Sequence, residues 1–242
     1  MSKKNNYMTF WEHLDELRKR IIYSLLSIFT FSLTAYFWSE NIKFFLMSPV
    51  LEIVAKIENS TLAYLSPQAP FMLYLSISLF SGIFLSLPAI MYNFLKFIKP
   101  AVGKVSLTRF FSILVSSIVF FLLGILFTYS TLIPLSLDFL ISFAEGEEII
   151  LSINSIISLI LWSCFCIGLV FQMPIIAFFL SSIGLVTSKS LSKSRRYAFL
   201  VSFVLAAFIT PPDVISQIIL ALPIVVLYEL CIVVVKVKSR NE

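Results

Sequence analysis

The chain has 242 residues, with 18 Lys and Arg against 13 Asp and Glu, for a net charge of +5. It is 59% hydrophobic and only 13% charged, with a mean hydropathy of +0.99. That composition leaves too little polar surface to cover a water-soluble body, so it excludes a soluble domain and indicates an all-α polytopic membrane protein.

Met1 to Met8 is polar, and it is too short and too poor in arginine to act as a transit peptide. Phe10 to Ile21 reads FWEHLDELRKRI. Thr9 and Glu12 fit a capping box, and Phe10, Leu14, Leu17 and Ile21 recur at helical spacing. Glu12, Asp15 and Glu16 share one face of that helix, with Arg18, Lys19 and Arg20 following at the membrane edge. Two readings stand side by side. The acids pair within the helix, Glu16 with Arg20 and Asp15 with Lys19, as i,i+4 spacing allows. Alternatively, Glu16 stays open to an incoming guanidinium, which a carboxylate clamps through two hydrogen bonds.

The first span is expected at 21–38, uncleaved, with Trp38 at the interface. A loop from Ser39 to Ala69 follows, punctuated by Pro49 and Pro67, with a short surface helix at Leu51 to Ile57. The second span, 71–94, contains Pro88, which frees a carbonyl and kinks the helix. Lys96 to Arg109 is a short basic loop, and the third span is 110–133. The Pro134 to Asn154 loop holds acids and neither Lys nor Arg. The fourth span, 156–183, is broken by Gln172 and Pro174. After a basic loop at Thr187 to Arg196 come a short fifth span, 197–209, a Thr210-Pro211-Pro212-Asp213 turn, and a sixth span, 215–235, also read as short.

Sixteen of the eighteen Lys and Arg fall on one side of this arrangement. The positive-inside rule therefore predicts six spans with both termini in the cytoplasm. The fifth span covers about 20 Å, against a hydrocarbon core near 30 Å. It either thins the bilayer locally or relies on flanking residues that snorkel. Gln172, near the middle of the fourth span, needs polar partners there. It either bonds the carbonyl of Val170 freed by Pro174 or receives a partner helix. Glu229 is the acid within a span, and it is either functional or paired with Lys236. Asp213 caps the sixth helix. Cys164, Cys166 and Cys231 lie in apolar runs and read as core residues. No enzyme site, metal-ligand set, cofactor motif or nucleic-acid partner is expected. A small-solute secondary transporter is the alternative, but it would show internal repeats and several buried charges.

Five stretches carry a resemblance to a known family: HLDELRKRI at His13 to Ile21, FIKPA at Phe97 to Ala101, GLVT at Gly184 to Thr187, RRYAF at Arg195 to Phe199, and TPPDVISQ at Thr210 to Gln217. ALP at Ala221 to Pro223 and LYE at Leu227 to Glu229 follow the last of these. In order and spacing they resemble the TatC family, the multispanning subunit of the twin-arginine protein translocase, over almost the whole chain, 1–242, as one domain. The resemblance implies recognition of twin-arginine signal peptides at the cytoplasmic face. It also implies TatA/TatB-type single-span partners, a homo-oligomer within a Tat complex, and export of folded proteins driven by the proton-motive force. On that basis Glu16, Glu12, Asp15, Phe97 and Ser106 are the candidate peptide-binding positions. Gln172, Pro174, Asp213 and Gln217 are the candidate partner-helix contacts, and Glu229 is the intramembrane acid. The family carries a second acid in the first cytoplasmic loop near Ser106, where this chain has none. The implied location is the bacterial inner membrane, or a mitochondrial inner or thylakoid membrane for an organelle-encoded protein.

Overall fold

Long apolar stretches dictate long helices here, and the breaks between them fall at prolines, a glycine and hydroxyl caps. The computed structural model describes residues 10–54, 60–102, 106–143, 149–210 and 214–240. In chain order its elements are α1 (Phe10–Phe37), α2 (Ser39–Val54), β1 (Ser60–Ala63), α3 (Ala69–Val102), α4 (Leu107–Phe127), a π-helical turn (Thr128–Leu132), α5 (Ile133–Ser142), β2 (Ile149–Ser152), α6 (Ile153–Val170), α7 (Met173–Ser182), α8 (Ser188–Lys193), α9 (Arg195–Ile209) and α10 (Val214–Arg240). Among the described residues, five helical runs are long and apolar enough to cross a bilayer: Trp11–Phe37, Ala69–Ile98, Leu107–Ser142, Ile153–Ser182 and Val214–Ser239. This is an all-α polytopic membrane protein. The 15 residues of α9 cover only about 22 Å, less than the hydrocarbon thickness. α10 differs from the expected short sixth span. It has 27 residues, because nothing between Val235 and Arg240 breaks a helix.

The stretch expected as a loop from Ser39 to Ala69 is mostly helix. α2 occupies Ser39–Val54 with Pro49 inside it. Leu46, Met47, Val50 and Ile53 recur on one face and are buried, so burial of that stripe outweighs the proline. The backbone defect is repaired from outside the helix. Pro49 has no N–H for the carbonyl of Phe45, and the Tyr129 hydroxyl donates to that carbonyl instead. The Tyr129 ring also stacks on Phe45, with centroids 5.0 Å apart.

The third helical run continues past its expected end at Ile133 to Ser142. Pro134 does not stop it, because the chain widens into the π turn just before, where the Ile133 N–H reaches Thr128 O. The i→i−5 bond of this turn encloses one extra residue, which makes room for the proline that follows. The expected Pro134 to Asn154 loop is thus a helix followed by a strand. β1 and β2 pair in parallel, Ser60 opposite Ile149 through Ala63 opposite Ser152. Together with α2 and α5 they cover the end of the molecule opposite the basic segments.

The main core joins α2, α3, α5 and α6 around Leu73, Ile77, Ile133, Ile157 and Ile160. A second core joins α6, α9 and α10 around Ile167, Ala206, Leu220 and Ile224. Two helix crossings depend on missing side chains. A Cβ on Gly82 would sit 2.6 Å from the backbone of Ser32, which fixes the approach of α1 to α3. Gly124 and Gly168 face each other where α4 crosses α6, with a Cβ on Gly124 3.0 Å from the Gly168 Cα. α7 ends at Gly184, whose φ of +78° closes the helix with bonds from Leu185 N to Leu180 O and from Gly184 N to Ser181 O. Thr187 then caps α8 by accepting from Ser190 N.

Candidate functional site

The charged stretch at the start of α1 forms a ledge at the basic end of the molecule. Two contacts along an antiparallel pair of helices position it. The His13 ring stacks on Phe97 near the end of α3, with centroids 4.4 Å apart and planes 17° from parallel. Two turns further along α1, Arg20 reaches Asn93, its Nη1 3.4 Å from Asn93 Oδ1. Phe97 is thereby placed beside the ledge. Asn93 is the residue that sequence reasoning missed. It was one amide in a long apolar run, and its signal was its position one turn before Phe97.

Glu16 and Arg20 form the expected i,i+4 pair. Both Nε and Nη2 of Arg20 donate to Glu16 Oε1, the first at 2.7 Å. The two side chains are only 21% and 15% exposed, so water screens this pair less than a typical surface pair. Glu16 Oε2 has no protein partner among the described residues. Glu12 and Asp15 are exposed beside it. The second expected pair, Asp15 with Lys19, is not formed among the described residues, and both side chains face solvent. Thr9, the other half of the capping box, lies outside the described residues.

Ser106 is exposed and acts as the N-cap of α4, accepting from Arg109 N at 3.4 Å. Its hydroxyl satisfies one orphan donor of a helix start. Nothing at this position supplies a negative charge.

Gln172 is buried at the break between α6 and α7. The sequence offered the freed carbonyl of Val170 as its local partner, but the structure gives it Ser117 of α4. Gln172 Nε2 donates to Ser117 O at 3.0 Å, and the Ser117 hydroxyl donates back to Gln172 Oε1. The amide plane bridges two helices because both ends of it find complementary groups on one residue. Pro174, also buried, starts α7.

Glu229 is paired with Arg195, not with Lys236. Arg195 Nε lies 2.7 Å from Glu229 Oε1, and Nη2 donates to Oε2 at 2.8 Å. Arg195 opens α9 beside α10, and its guanidinium fork matches the carboxylate better than a lysine two turns along the same face. The two-bond pairing neutralises an acid that lies within a candidate span, where an unpaired charge is costly. Nearby, the Tyr228 hydroxyl donates to Leu191 O at 2.8 Å and ties α10 to α8. At the opposite end, Gln217 Nε2 donates to Phe203 O at 3.0 Å, and the Ser216 and Ser136 hydroxyls lie 2.6 Å apart. These bonds tie α10 to α9 and α5. Asp213 lies outside the described residues.

A kinked helical membrane bundle with a charged ledge at its basic end defines a multi-pass membrane protein. The family model for the Sec-independent protein translocase protein TatC matches residues 12–223. The chain is 34% identical to the Sec-independent protein translocase protein TatC of Aquifex aeolicus over 97% of this chain and 98% of that one. It is also 34% identical to the TatC of Koribacter versatilis over 93% and 84%. It superimposes on a crystal structure titled as the twin arginine translocase receptor TatC with a TM-score of 0.82 at 33% identity, covering 94% of this chain and 99% of that one. The chain belongs to the TatC family. It is a translocase component, and the alternative of a small-solute secondary transporter finds no support in these comparisons.

Proposed function

We propose that this protein is the receptor subunit of a twin-arginine translocase in a bacterial inner membrane. It recognises twin-arginine signal peptides at its cytoplasmic face and, with TatA/TatB-type single-span partners, exports folded proteins on the proton-motive force. The observation that carries this reading is the family match across residues 12–223. In this reading the chain is one domain, 1–242, that crosses the bilayer six times with both termini inside, and the short α9 is the fifth crossing.

Glu16 is the first acceptor for a peptide guanidinium, with Glu12 and Asp15 exposed beside it to hold the second arginine. Phe97, stacked on His13, supplies an apolar floor, and Ser106 contributes a polar edge without charge. Partner helices meet the α6–α7 break at Gln172 and Pro174 and the far end of α10 at Asp213 and Gln217. Contact at Gln172 requires that it exchange its bonds with Ser117 for bonds to the partner. A homo-oligomer places several such ledges side by side.

The test is crosslinking and binding of a twin-arginine signal peptide to the purified protein. Glu16→Ala should weaken binding by about 1.5–3 kcal/mol, as loss of a charge-assisted hydrogen-bond pair does. Unchanged crosslinking removes Glu16 from the site.

A further inference from the structure

We infer that Arg20 is a built-in competitor for the peptide arginine: it occupies Glu16 in the resting protein and passes to Asn93 when an incoming guanidinium takes the carboxylate. This rests on Glu16 being the peptide acceptor, and it adds a regulation of that site.

Three features of the ledge lead to it. First, both donors of Arg20 converge on one oxygen, Oε1, and leave Oε2 without a protein partner among the described residues. An incoming arginine can start on Oε2, but the parallel two-bond fork needs both oxygens. Full capture therefore requires Arg20 to leave Oε1. Second, the place for Arg20 to go already exists. Asn93 Oδ1 is 3.4 Å from Arg20 Nη1, at the outer limit of a hydrogen bond. Asn93 is 7% exposed, so its amide oxygen gains from a closer donor that water does not supply. Third, Asn93 lies on α3 one turn from Phe97, whose ring holds His13 of α1. Transfer of Arg20 from its own helix to α3 would tighten the same helix pair that presents the ledge. The exchange replaces one guanidinium on Glu16 with another, so the carboxylate is never left bare.

The experiment measures binding of a fluorescent peptide bearing the twin-arginine motif to the full-length protein in nanodiscs. Arg20→Gln removes the competitor and should tighten binding about fivefold, the upper range for an ion pair in partial contact with water. Asn93→Ala removes the alternative acceptor and should weaken binding, and in the R20Q background that effect should vanish. Arg20→Lys keeps the charge but loses the two-pronged grip, and should tighten binding by a smaller factor. Should R20Q fail to fold, R20K and N93A decide. Unchanged or weaker binding in R20Q and R20K overturns the inference, because Arg20 then merely orients Glu16. So does an N93A effect that persists in R20Q. Binding that survives Glu16→Gln overturns the acceptor reading itself, an outcome distinct from either.

Discussion

Gly82 offers the sharpest test of how α1 is held. A methyl group at this position points into the Ser32 backbone, with Cα and N each 2.6 Å from the new carbon. The Ser32 hydroxyl can rotate away, but its backbone cannot, so α1 has to move outward. Gly82→Ala is therefore an overpacking change, expected to cost about 1–3 kcal/mol. For a chain of this length that lowers the melting temperature by about 2–4 °C per kcal/mol. Purified protein in detergent, followed by thermal unfolding, gives the number. The same displacement reaches the ledge, because the His13–Phe97 stack and the Arg20–Asn93 contact lie further along the same helix pair. Signal-peptide affinity should fall together with stability. Ser32→Gly provides the control: it removes the hydroxyl but keeps the backbone, so it should not rescue Gly82→Ala. Full rescue would show that the hydroxyl, not the approach of two backbones, sets the crossing, and the reasoning would be wrong.

Tyr129→Phe keeps the ring stack but strips the donor from the Phe45 carbonyl. It should cost about 1 kcal/mol in thermal unfolding, and Pro49→Ala, which restores an N–H, should cancel most of that loss. Ser117→Ala leaves Gln172 Oε1 without its donor in a buried site. Bonds of this kind inside membranes average about 0.6 kcal/mol, so a small destabilisation is expected. A double-mutant cycle with Gln172→Met should show the two effects to be non-additive, and additive losses would deny the pairing. Glu16→Ala, tested by peptide crosslinking, bears on function rather than stability.

The sequence made the membrane class and the broken fourth helical run legible, because hydropathy and prolines act locally. It also placed Glu16 beside Arg20, since i,i+4 spacing is a property of one helix. It misread segments whose cost is met from elsewhere in the chain. Pro49 argued for a loop because nothing nearby in sequence donates to the Phe45 carbonyl it orphans, and the donor, Tyr129, sits 84 positions from Phe45. Pro134 argued for a helix end, but a π turn absorbed it. The pairing open to Glu229 within its own helix was Lys236, whereas Arg195 holds it from the neighbouring one. Gln172 needed a partner, and the periodicity of α4 gave no reason to pick Ser117 over other hydroxyls. Polar matches between helices are set by the packing, and no local pattern reports them.

The parallel ribbon has a mechanical consequence. β1 leads into α3 and β2 leads directly into α6, so their ladder couples the starts of two helices that are not neighbours in the chain. With one face of α2 packed into the same core, that rim resists spreading. Any relative movement of α3 and α6 is therefore smallest at the ladder and largest at their far ends.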